Sequence, residues 1–334
     1  MDTKIKVIST LKRFEVSSDE IAWKNFIFTI IGLIISVFLS VYLLHNHSWL
    51  SSIFWFSSAI LLCRFFVLEH DAGHLSLFTN KKHNRIAGIV LGFFTMIPSS
   101  LWNHIHNTHH GILGNLDKRK INPELWTLTV HEFQQASFLK KLLYRFMRSI
   151  FARLILTPAI WIILPRIPLP HLGRKIFISI LVHDLIYGVL FYYLLVNKHF
   201  DLFIFCYLIP LYIFNLLAAI FFYLNHQYEH TSWEKEENWD LYTLSISGSG
   251  HLIANPFWSW VSGNVGCHHI HHLNTKIPSF NLAKATEEAN QYLDIKPIYL
   301  HQLFYHLKCA LWDEDAKKLI SFRTLKEQKI NLPK

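Results

Sequence analysis

Charge is scarce in this chain. Only 16% of its 334 residues are Asp, Glu, Lys or Arg, where a soluble domain carries about 25%. With 51% hydrophobic residues and a mean hydropathy of +0.25, the shortage argues against a water-soluble fold and asks for a bilayer as solvent. Cysteine is also sparse. Cys63, Cys206, Cys267 and Cys309 lie far apart and form no CxxC pair, which argues against a disulfide framework and a zinc–thiolate site. Cys267, beside His268, reads as a small buried residue rather than a ligand. Acids are outnumbered by bases, 23 to 32, for a net charge of +9. The bases form no stripe with interleaved aromatics, so nucleic acid is not the expected partner. No Gly/Ser- or Pro-rich linker divides the chain, which reads as one domain over residues 1–334. There is no HExxH, so a zinc-protease reading lacks its general base.

What is present is apolar sequence in bilayer-length runs. Residues 25–44 and 49–68 form one pair of candidate spans, and 176–196 and 202–224 a second. The partners are joined by short turns, so each pair reads as a transmembrane hairpin. The first run starts too late, is too long and lacks the small-residue site of a cleaved signal peptide. Lys and Arg set the orientation: five precede the first span, fourteen lie in 70–175, eleven follow residue 224, and the two turns hold only Lys198. Both termini are therefore expected on the cytosolic side, of a bacterial inner membrane or an endoplasmic reticulum. Arg64, near the inner end of the second span, could snorkel. Residues 87–101, with Pro98, read as a re-entrant or interfacial helix, and 150–167, with Arg153, Pro158, Pro165 and Arg166, as an interfacial one. Ser17-Ser18-Asp19-Glu20 has capping-box spacing and is expected to start an interfacial helix. The tail from about 283 to 334 is expected to be soluble helices. The fold class expected is an all-α integral membrane protein, with four transmembrane helices in two hairpins and a cytosolic helical cap.

Histidine is abundant and ordered. Eight of 22 fall in three boxes: His70 and His74; His106, His109 and His110; His268, His271 and His272, which repeat the spacing of the second box. Positions i, i+3 and i+4 share one face of a helix, so each box offers two or three imidazoles to one space. Eight exceed the four ligands of a tetrahedral zinc site and suit two metal ions; imidazole serves Zn, Cu, Fe and Ni. The first box begins where the second span ends, and His226 sits where the fourth ends. Metals there would hang at the mouth of a four-helix bundle, above an apolar space suited to a lipid chain.

The order HDAGH, HNTHH, HHIHH, with paired spans between, resembles the membrane fatty acid desaturases. So do Trp102-Asn103-His104-Ile105 before the second box and Asn115 after it, and Asn225-His226-Gln227-Tyr228-Glu229 with Trp233. Gly263-Asn264-Val265-Gly266 before the third box, and Leu273, Ile277-Pro278 and Asn281-Leu282 after it, resemble the acyl-lipid branch. The resemblance covers about residues 25–300. It implies a non-haem diiron centre that uses O2 and two electrons to remove two hydrogens from an acyl chain carried by a membrane lipid or a thioester. The eight box histidines would be its ligands, and His226 matches an additional family histidine. His230 stands where relatives more often have an acid. With no fused HPGG-type cytochrome domain, electrons are expected from a separate ferredoxin or cytochrome b5, which a basic cytosolic face would suit.

Other residues carry weaker expectations. His230, His104 and His269 read as supporting or structural. Asp71, Glu229 and Asn264 could orient ligand imidazoles, or equally cap helices. A diiron hydroxylase or ketolase would share the ligand set. A metal transporter would instead place ionisable residues near mid-span, facing a pathway, whereas these spans are nearly free of acids, Asp184 excepted.

Overall fold

The computed structural model describes residues 3–121 and 126–330. Among the described residues, four helices are long and apolar enough to cross a membrane: α2 (Asp19–His45), α3 (Ser51–Gly73), α8 (Arg174–Val196) and α9 (Phe200–His226). They pair as two hairpins, as the apolar runs imply. A short helix α1 (Thr3–Lys12) precedes them. Ser18 caps α2 by accepting from the Ile21 N–H, with Asp19 and Glu20 at the positive end of its dipole. The capping signal thus opens the first span rather than a separate interfacial helix. Nothing between Glu20 and Asn25 stops a helix once started, and the Ser17 hydroxyl is used elsewhere, on the Ser76 carbonyl at 2.6 Å.

Spans α2 and α3 meet closely, because a side chain at Gly32 would press on Leu61, and the Ser36 hydroxyl bridges to Ser58 at 2.9 Å. Span α3 packs on α9 through Phe66 and Phe214, whose rings lie 5.6 Å apart. Arg64 does not snorkel. It is buried and donates to the Trp260 carbonyl (2.6 Å) and to Asn25 Oδ1 (2.9 Å).

The stretch read as one re-entrant helix is two: α4 (Lys81–Thr95) and α5 (Ser99–Gly111), meeting at 101°. Pro98 cannot continue α4. Met96 turns left-handed at φ 59°, and a Cβ at Gly92 would sit 2.4 Å from the Ile97 carbonyl. The carbonyls exposed by the turn find donors: Tyr187 on Phe93, Tyr207 on Phe94 at 3.1 Å, and Arg166 on Met96 at 2.5 Å. That is the condition for irregular backbone at membrane depth. Further on, α6 (Phe138–Met147) meets α7 (Ala152–Arg166) at 62°.

The cap holds α10 (His268–Leu273) and α11 (Ser279–Ala289), with α1 packed on α11 through Val7 and Leu11. The tail is only partly helical, with strands between α11 and a last helix at Phe322–Ile330. After α11 it makes β3 (Pro297–Tyr299), which pairs in parallel with β2 (His251–Ile253), then a hairpin of β4 (Cys309–Asp313) and β5 (Lys318–Ser321), to which β1 (Leu128–Thr129) adds in parallel. Cys309-Ala310-Leu311-Trp312-Asp313 is buried at every position, so it shows neither helical nor alternating periodicity. Residues 331–334 of the expected tail lie outside the described residues.

Candidate metal centre

The histidines of the centre sit on four helices, α3, α5, α9 and α10, that face the same space. His70 lies in the last turn of α3 and His74 caps it. His106, His109 and His110 lie on one face of α5, His226 ends α9, and α10 is little more than the third box. Because α3 and α5 deliver imidazoles to one cluster, the α4–α5 pair must dip and return to the membrane face it left.

The ring nitrogens gather in two groups. Donor atoms of His70, His74, His106 and His271 all lie within 4.8 Å of one another, as do those of His109, His226, His268 and His272. His110 joins the first, its Nε2 standing 3.0 Å from those of both His106 and His271. Hydrogen bonding does not account for these contacts. A neutral imidazole nitrogen has one proton or one lone pair and satisfies one neighbour. Yet His226 Nε2 faces His109 (3.2 Å) and His268 (2.8 Å) at once, and His271 Nε2 faces His70 (3.1 Å) as well as His110.

Nitrogens so placed fit a shared cation. With metal–imidazole distances of about 2.1 Å, adjacent donors of an octahedral ion stand about 3.0 Å apart and those of a tetrahedral ion about 3.4 Å. The facing pairs here span 2.8–3.2 Å, nearer the octahedral figure. His74 Nε2 is buried with no hydrogen-bond partner, as a ligand nitrogen would be. Burial first, then the neighbouring imidazoles, hold His268, His271 and His272 well below the usual histidine range. They are therefore neutral at pH 7, the form that binds metal.

That depression has a measurable sign. In the unfolded chain these rings take protons near pH 6.5, whereas the folded chain takes them only at much lower pH. Their contribution to stability is complete above about pH 6.5 and is lost as the pH falls below it. The metal-free protein in detergent is expected to unfold at a lower temperature at about pH 5.5 than at about pH 7.5. An unchanged midpoint would contradict burial of neutral rings.

Around the rings, Asp71 Oδ1 lies 3.3 Å from His70 Nδ1, while its Oδ2 accepts from the Ser279 N–H at 2.8 Å. One carboxylate thus orients an imidazole and anchors α11. The Gly248 carbonyl lies 3.3 Å from His226 Nδ1. Asp71→Asn is expected to weaken metal binding by about 10–100-fold, read by chelator competition; unchanged affinity would remove this role.

The other residues singled out in the sequence are elsewhere. His269 faces away from the cluster, its Nε2 2.9 Å from Asn290 Oδ1. Asn264, left-handed at φ 58°, donates to the Ser279 carbonyl at 3.0 Å and contacts no ring of the cluster among the described residues. Glu229 pairs with Lys318 at 2.9 Å, turned toward the tail. His230 and His104 are exposed. Two residues had no role assigned from the sequence. Trp102 stacks on His106 at 4.5 Å, and its i, i+4 spacing on α5 was the available signal. Glu69 is buried in α3, where it accepts from the Thr95 hydroxyl at 2.7 Å; it fell just outside the apolar run that marked the span.

Comparison with known proteins agrees with this geometry. The family model described as fatty acid desaturase matches residues 47–304. A fatty acid desaturase of Bacillus subtilis is 33% identical over 280 residues, 83% of this chain and 78% of its own. An sn-1 acyl-lipid omega-3 desaturase (ferredoxin) of Synechocystis is 27% identical over 74% of this chain and 67% of its own length. An sn-1 oleoyl-lipid 12-desaturase of Picosynechococcus is 26% identical over 71% of this chain and 68% of its own. With its spans, its clustered histidines and a match over most of its length, the chain belongs to the fatty acid desaturase family.

Proposed function

We propose that this protein introduces a double bond into the acyl chain of a membrane lipid, at two iron ions held by nine histidines. The observation that carries the reading is the pair of imidazole clusters at the mouth of the four-span bundle. His70, His74, His106, His110 and His271 would hold one ion, and His109, His226, His268 and His272 the other. Bound there, a pair of redox-active irons supplies the O2-dependent oxidation of an unactivated C–H bond. The chain's own residues set where it happens. Phe66 and Trp102, with rings 4.8 Å apart, put aromatic surface beneath the first cluster, and Phe222 packs within 5.2 Å of the His226 ring. Asp71 and the Gly248 carbonyl hold ligand rings in place from behind.

Two electrons per double bond come from a separate donor. A ferredoxin suits the reading, since relatives carry that donor in their names and this chain is basic. The Lys and Arg distribution supports a cytosolic placement of the centre. A transport reading finds no support: Asp184, the acid at mid-span, pairs with Arg166 at 3.4 Å.

The test is the fatty-acid profile, by mass spectrometry, of a host expressing the protein together with a ferredoxin and its reductase, against the His271→Ala variant. A new double bond made only by the wild type is expected. A new hydroxylated chain would move the assignment to a hydroxylase with the same ligands.

A further inference from the structure

Helix α6, Phe138-Leu-Lys-Lys-Leu-Leu-Tyr-Arg-Phe-Met147, supplies no residue to the histidine clusters. Its Phe138, Leu139, Leu142, Leu143 and Phe146 follow i, i+1, i+4, i+5, i+8 spacing and make one apolar stripe. None of it is covered: Phe138 is 77% exposed, Leu139 74% and Leu142 56%. The opposite face is fixed to the fold, with Tyr144 fully buried and its hydroxyl donating to the Ala310 carbonyl at 2.5 Å.

The depth of the helix is fixed as well. Arg148, just past its end, donates to Gln227, the first residue beyond span α9. Arg153, one turn later, is buried over the Tyr223 ring at 5.2 Å and donates to the Leu307 carbonyl at 2.8 Å. These contacts hold the α6–α7 joint level with the end of a membrane span. The stripe continues into exposed Phe151 and Ile155 of the neighbouring segment. The edges of the stripe are basic, with Lys140 on one side and Lys141 and Arg145 on the other. Lys141, Arg145 and Lys326 line a cleft of about 340 Å3 floored by Phe133 and Phe322, and among the described residues no carboxylate lines it.

We propose that α6 lies in the plane of the bilayer as an anchor whose basic edges and cleft bind the headgroup phosphates of anionic phospholipids. The apolar stripe enters the acyl boundary while the Lys and Arg side chains reach up to the headgroups. Near an anionic surface each such cation contributes about a fivefold gain in partitioning.

The test places a nitroxide in turn on Leu139→Cys, Leu142→Cys and Phe146→Cys of the full chain in nanodiscs. Collision with O2 is compared with collision with a water-soluble nickel chelate. The exposed Asp315→Cys site is the aqueous control, and the unsubstituted chain gives the background from native cysteines. All three labels are expected to be severalfold less accessible to nickel than the control, and at one common depth. Depth should decrease when anionic lipid is replaced by zwitterionic lipid, or when Lys140, Lys141 and Arg145 are replaced by Gln. Nickel access equal to the control would overturn the proposal. So would depth that steps steadily from Leu139 to Phe146, the mark of a span, or spin–spin broadening from a second copy packed on the stripe. Depth indifferent to both lipid charge and the Gln replacements would overturn the anionic-headgroup assignment.

Discussion

His271→Ala is expected to reduce double-bond formation below detection and to lower bound iron, while the protein still inserts into membranes and elutes as the wild type does. His271 supplies more than one ring in a set of five. Its Nε2 stands 3.1 Å from that of His70 and 3.0 Å from that of His110, so it joins the α3 and α5 parts of the first cluster. Alanine removes the nitrogen and leaves a hole among four histidines whose orientation assumed a central cation. His271 itself lies on α10 in the cap, outside the spans, so insertion is the proper control. Wild-type turnover in this variant would remove the metal-site argument. Unaltered iron with lost turnover would make His271 a substrate-positioning residue instead.

His226→Ala is expected to lose about half of the bound iron and all of the activity. No sequence box contains His226, yet it is the one ligand candidate from α9 and bridges His109 to His268 in the second cluster. Without it three imidazoles remain there, against five in the untouched first cluster, so the loss should be selective. Four residues on, His230→Ala should change neither iron content nor product, because its side chain is exposed and outside both groups. Iron measured per chain on the two variants in parallel separates the roles. Equal iron in both would contradict the assignment.

The spans were readable because bilayer solvent forces a long unbroken apolar run, which α2, α3, α8 and α9 each have. The box histidines were readable because i, i+3 and i+4 positions share a helix face. His269, read as supporting or structural although it stands inside the densest box, meets Asn290 and looks outward. One feature escaped for a physical reason. Strand β4 is buried at every position, so it carries no alternation. How the nine rings divide into two groups is set by the approach of four helices distant in sequence, and no local pattern encodes it. The bend between α4 and α5 was half legible: Pro98 marks the break, whereas the 101° turn depends on Tyr187, Tyr207 and Arg166 reaching its carbonyls from elsewhere in the chain.

The measurement that bears most directly on two imidazole clusters is the iron content per chain of the protein purified from iron-supplemented cells, with zinc, copper and manganese determined on the same sample. About two iron atoms per chain, with the other metals in trace amounts, is the expected result. One ion per chain, or near-zero iron with zinc in its place, would contradict the diiron centre.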